Sequence, residues 1–147
     1  MPGIWTKLNH KTQTPIYVLN APPEFAAALA ESPAEVKTKL GKSAAFVLAF
    51  ATQQAQVDKL AGQVAAAAQG DAIVWIAYPK GTSKKYKCDF NRDTGWASMG
   101  AAGFEPVRQV AIDEDWSALR FRRVEYIETM TRSFAMTEEG KRKSAKP

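Results

Sequence analysis

Two stretches of the chain are apolar on both parities: Ala44 to Phe50, AAFVLAF, and Ala72 to Tyr78, AIVWIAY. A run without polar alternation has no solvent face, which is the pattern of strands covered on both sides in a parallel sheet. Between them, Gln53 to Gln69 sets Val57, Leu60, Ala61 and Val64 at three- and four-residue spacings, the period of an amphipathic helix. Thr52 is its predicted N-cap and Gly70-Asp71 its end. Upstream, Pro15 to Asn20, PIYVLN, is rich in β-formers and predicts the first strand. Ala21-Pro22-Pro23-Glu24 then opens a helix with proline at its first position, carrying Phe25 and Leu29 as far as Ser32-Pro33. Glu35 to Leu40, EVKTKL, predicts a short edge strand whose lysines guard it against pairing with other chains. The first fourteen residues carry neither period and predict an arm anchored by Ile4 and Trp5.

After Pro79 comes a basic loop with Lys80, Lys84, Lys85 and Lys87, then a helix predicted to start at Asp89 or Asn91 and to run through Trp96 and Met99. Glu105 to Asp113 and Trp116 to Val124 predict an antiparallel hairpin turning at Glu114-Asp115. Its register sets Gln109 opposite Arg120 and Val110 opposite Leu119. A short helix is predicted near Glu125 to Phe134. Strand and helix alternate before the hairpin, so the fold class is α/β: a three-layer α/β/α Rossmann-like sandwich, mostly parallel, with a C-terminal antiparallel hairpin and right-handed crossovers. The expected organisation is an arm over 1–14, a single domain over 15–134 and a basic tail over 135–147.

At 147 residues the chain is long enough for one domain with a substantial core. The 46% hydrophobic content includes no run of the ~20 apolar residues that a bilayer span needs. No secretory signal is evident, and Cys88 is the single cysteine, so a cytoplasmic location is expected. The net charge of +5 raises nucleic acid as a partner. Lys141, Arg142, Lys143 and Lys146 place much of that excess in a polar tail rather than on a folded face, which argues against nucleic acid. A homodimer is the default expectation for a soluble chain.

The words LNAPPEF, VWIAYPKGTSK, CDFNRDTGW and VRQVAIDEDWSALRFR together resemble a small bacterial family catalogued as a domain of unknown function. The order of elements over Pro15 to Val124 is similar to a shortened class I methyltransferase-like Rossmann fold. These resemblances imply one compact domain and a rim of Asn20, Lys80, Asp89, Arg92, Asp93, Asp113, Trp116 and Arg120. They bring no substrate, cofactor or catalytic residue.

The residues themselves restrict the chemistry. A dinucleotide or S-adenosylmethionine site on such a fold needs glycine in the first strand-to-helix turn, where backbone must approach the ligand closely. Here that turn contains Ala21, Pro22 and Pro23, and the prolines remove two N–H donors. The edge strand also ends without the acidic residue of a methyltransferase. Pro79 to Lys84, PKGTSK, lacks the first glycine and spacing of a phosphate loop. Lys80, Ser83 and their neighbours still suit a small anionic ligand, although lysine-rich loops are commonly just solvated. Asp89 and Asp93 read first as helix-capping residues, and Asp113 as a turn former. His10 and Cys88 stand alone, so no metal site is predicted; Cys88 reads as an ordinary thiol despite Lys85 and Lys87. Arg120, on an inner strand, requires a partner, for which Asp113, Asp89 and Asp93 are the candidates. The leading expectation is a non-enzymatic binding or interaction module without a cofactor. The alternative is a protein or enzyme that takes a small anionic ligand on a rim of Asn20, Lys80, Ser83, Asp89, Arg92, Asp93, Asp113, Trp116 and Arg120.

Overall fold

The two strands without a polar face lie side by side in the middle of a six-stranded sheet ordered β2-β1-β3-β4-β6-β5. In this computed structural model the described residues are 4–90 and 95–126. β1 (Ile16–Leu19), β2 (Val36–Lys37), β3 (Ala44–Phe50) and β4 (Ala68–Pro79) are mutually parallel. β6 (Trp116–Arg123) runs antiparallel to β4, and β5 (Phe104–Ala111) runs antiparallel to β6 at the sheet edge. β2, with two residues and partial exposure, is the other edge, as its lysines predicted.

Two apolar clusters cover the two sheet faces. On one, Val47, Ala49, Val74 and Ile76 pack against Val57, Leu60 and Val64 of α3 (Gln54–Ala67) and Met99 of α4 (Ala97–Ala101). On the other, Phe46, Leu48 and Trp75 pack against Trp5 and Leu8 at α1 (Ile4–Lys7) and against Phe25, which sits in a 3-10 turn just before α2 (Ala26–Ala30). Each such fully buried side chain stabilises the fold by about 1.5–3 kcal/mol. The predicted arm is thus packed over residues 4 to 10: Trp5 Nε1 donates to the Ala28 carbonyl at 2.9 Å, and Trp75 Nε1 to the Leu8 carbonyl at 2.8 Å.

Four sequence expectations need correction. α3 begins after Gln53, not Thr52, because Gln53 and Gln56 form a reciprocal capping box, with Gln56 Oε1 accepting from the Gln53 N–H at 3.1 Å. β4 follows α3 without a turn at Gly70-Asp71; both residues lie inside the strand, where Gly70 takes a φ of 54° and the pairing with β3 shifts register. α4 starts only after Trp96, and Asp89 serves a different helix. The hairpin register is displaced by one residue: Arg108 stands opposite Arg120 and Gln109 opposite Leu119. The cause is Asp113, whose Oδ1 accepts the N–H groups of Asp115 and Trp116, both at 2.8 Å, and so builds a loop of Asp113, Glu114 and Asp115. The helix expected near 125–134 and the basic tail lie outside the described residues, apart from a 3-10 turn over Val124–Tyr126.

Candidate functional site

Residues 38–43 carry the chain from β2 across β1 to β3 without a helix. A parallel crossover of this kind commonly takes a dozen or more residues, so the short link leaves part of the sheet bare. Leu40 packs onto the α3 side of the core, and Gly41 sits so close to Tyr17 that a Cβ there would stand 2.6 Å from the phenol oxygen. Between this link and α3 a groove of about 780 Å³ remains open.

The groove has an apolar floor of Leu19, Leu40 and Leu60 and a polar wall from one stripe of α3: Gln56, Lys59 and Gln63. Asn20, at a φ of 60° just beyond β1, closes the carboxyl end, and its Nδ2 donates to the Phe50 carbonyl at 3.4 Å. Lys39 and Lys42 line the facing wall. Among the described residues Lys39, Lys42 and Lys59 form no ion pair. Three uncommitted cations around an apolar floor suit a ligand with an anionic group and an apolar body.

A second cleft, about 890 Å³, lies where the loop after β4 meets the hairpin, and Lys80, Ser83, Tyr86, Lys87 and Cys88 line it. Here Ser83, Gln109 and the Lys80 backbone N–H are already engaged. Ser83 Oγ donates to Asp115 Oδ1 at 2.8 Å, and the Lys80 N–H donates to the Asp115 carbonyl at 2.8 Å. Gln109 Nε2 donates to the Tyr78 hydroxyl at 3.0 Å. Burial pushes the Cys88 thiol up, so the neighbouring lysines do not activate it.

The same loop is strapped over the carboxyl end of the sheet. Glu24 accepts from Trp116 Nε1 at 3.1 Å and pairs with Lys85 Nζ at 3.3 Å. The Tyr86 hydroxyl bond, followed in effect by Trp116 and Lys85, holds the Glu24 carboxyl down to about 2 against the opposing effect of burial. Reciprocally, the hydrogen bond to Glu24 pushes Tyr86 up to about 12. Phe25, Phe50, Trp116 and Tyr86 follow one another in edge-to-face and tilted ring contacts, with centroid separations of 5.0, 5.1 and 4.9 Å. This aromatic column and strap occupy the end of the sheet near the β1–β3 switch point, where open α/β sheets hold ligands.

The predicted rim residues fall in separate places. Lys80 and Ser83 line the second cleft, and Asn20 lines the first. Asp89 Oδ1 accepts the Gln54 N–H at 2.6 Å, which satisfies an orphan donor at the start of α3. Asp113 shapes the hairpin loop, and Trp116 is buried against Glu24. Arg92 and Asp93 lie outside the described residues. Arg120 is on the opposite sheet face from the groove, with Trp75 and Ala118, and its Nε has no hydrogen-bond partner among the described residues. The anticipated pairing with Asp113 or Asp89 does not form, because those carboxylates bind backbone N–H groups elsewhere. Lys39, Lys42 and Lys59 were not among the site residues expected from sequence. The spacing of Gln56, Lys59 and Gln63 along one helix face was the available signal.

No family model and no curated protein matches the chain. Among solved structures, similar ones are a fibrillarin pre-rRNA processing protein of Methanococcus jannaschii and a type 11 methyltransferase candidate from Sulfolobus solfataricus. The first is 12% identical with a TM-score of 0.47 over 73% of this chain, which spans 55% of that protein's length. The second is 12% identical with a TM-score of 0.43, over 82% of this chain and 77% of that one. The expectation of a non-enzymatic interaction module gains no support from these neighbours and is withdrawn. The α/β fold itself rests on the mixed six-stranded sheet and the apolar clusters on its two faces.

Proposed function

We propose that this chain binds a small anionic molecule with an apolar body in the groove between the 38–43 link and α3, as an enzyme-type ligand site on a methyltransferase-like frame. The observation that carries the reading is the set of uncommitted Lys39, Lys42 and Lys59 around Leu19, Leu40 and Leu60. The lysines supply charge and the leucines a desolvated platform, while Gln63 offers an amide and Gln56, whose Oε1 caps α3, its amide N–H groups to orient a polar group. The finer fold reading belongs to the same proposal: a shortened three-layer class I methyltransferase-like arrangement, supported by helices on both faces and by the β5–β6 hairpin. Its shortening is what opens the groove. A cytoplasmic site of action completes the proposal and rests on the single cysteine.

A thermal-shift panel of AMP, ATP, S-adenosylmethionine and short-chain acyl phosphates tests it. At ten times its dissociation constant a ligand specific to the folded state stabilises by about 1.4 kcal/mol. A rise in Tm with one or more anionic members, abolished in Lys59→Glu, is the expected result. No rise with any member, or a rise that Lys59→Glu and Lys42→Glu leave intact, contradicts it.

A further inference from the structure

On the sheet face opposite the groove, the observed hairpin register sets Arg108 directly across from Arg120. Side chains so paired hold their Cβ atoms about 5 Å apart, and like charges in that relation repel. Trp75 of β4 is the next residue along the same row, so Arg120 stands between a buried indole and a second guanidinium. Arg122 lies on the same face one row away.

The carboxylate that influences Arg120 from β4 is already bound. Asp71 takes Arg122 in a two-pronged pair, Nε to Oδ1 at 2.8 Å and NH2 to Oδ2 at 2.7 Å. Glu105 stands opposite Arg122, further from Arg108 and Arg120 along the hairpin, and has interactions of its own. Arg120 Nε is buried without a hydrogen-bond partner among the described residues. Burial pushes its guanidinium pKa down, and Arg122 and Arg108 push the same way against Asp71. Two forked cations thus face each other with no described carboxylate between them, an arrangement that a bound oxyanion would relieve. Guanidinium pairs are well matched to phosphate and carboxylate, since each presents a planar fork of donors.

We propose that Arg108 and Arg120 form a second ligand site, which holds a tetrahedral or planar oxyanion such as a phosphate or carboxylate group on the sheet face away from the groove. The ligand engages the outer guanidinium nitrogens, because Arg120 Nε is closed to solvent. The oxyanion is either a free ion or the charged end of a larger molecule.

The test titrates the full chain with inorganic phosphate and with acetate at constant ionic strength, following both Tm and the NMR resonances of the arginine side chains. Phosphate at ten times its dissociation constant should raise Tm by about 4 °C and shift the Arg120 and Arg108 signals. Arg108→Ala, at an exposed position, should remove most of that rise, and Arg120→Met should do the same, whereas Lys59→Glu should leave it unchanged. Glycerol phosphate acting as well as phosphate would identify the charged end of a larger molecule as an acceptable ligand; phosphate alone acting would identify the free ion. Equal shifts in wild type and Arg108→Ala, or no shift of the arginine resonances, would overturn the proposal.

Discussion

Glu24 is the residue on which the strap over the carboxyl end of the sheet depends. It joins Tyr86, Trp116 and Lys85, three groups from the loop and the hairpin, to the 3-10 turn before α2. With its carboxyl held at about 2 against an ordinary 4.5, its contribution is complete above pH 4.5 and is lost as the pH falls towards 2. Tyr86 has the opposite sign: raised to about 12 from 10, it contributes below pH 10 and loses that contribution between 10 and 12. Glu24→Gln should therefore lower the urea midpoint at pH 7 and flatten the decline between pH 4.5 and 2.5. Parallel declines in wild type and variant would count against the strap. Gly95 is a second sensitive residue, with a φ of 94° and an added Cβ 2.6 Å from Phe90 Cβ and 2.7 Å from Gln54 Oε1. Gly95→Ala should cost about 2 kcal/mol or more in equilibrium unfolding, from left-handed strain and overpacking together.

At the scale of elements, the main strands and α3 were legible because burial on both faces and a 3.6-residue period each leave an unambiguous pattern. What the pattern could not show was how side chains from distant segments finish those elements. Asp89 looked like the cap of the helix that follows it, yet its carboxylate binds the first N–H of α3, thirty-five residues earlier in the chain. Asp89→Ala should cost about 1 kcal/mol, the usual loss at such a position, and should raise hydrogen exchange in the first turn of α3 more than in α4. Uniform exchange across both helices would refute that assignment. The hairpin shows a similar limit. Its two strands were evident, but a loop built by Asp113 moved the register one residue and brought Arg108, rather than Gln109, across from Arg120. That displacement creates the like-charge pair from which the second ligand site was inferred.

For the molecule as a whole, the short link between β2 and β3 has the widest consequence. It leaves the β1 flank of the sheet without a covering helix and turns Lys39, which in sequence looks like a guard of an edge strand, and Lys42 just beyond it into a wall facing Lys59. Composition alone could not reveal this, because the groove is defined by an element that is absent rather than by a motif. In the loop rich in lysine after β4, more conspicuous in sequence, Ser83 and the Lys80 N–H bind Asp115 and Lys85 binds Glu24. Sheet topology and groove are thus connected, with the aromatic column occupying the sheet end where open α/β sheets hold ligands. The most direct measurement is a backbone amide NMR titration of the full chain with the strongest anionic ligand from the thermal panel. The account predicts perturbations concentrated at residues 38–42 and along the Gln56, Lys59 and Gln63 stripe, and lost in Lys59→Glu. Perturbations confined to the loop after β4, with residues 38–42 and α3 unmoved, would contradict it.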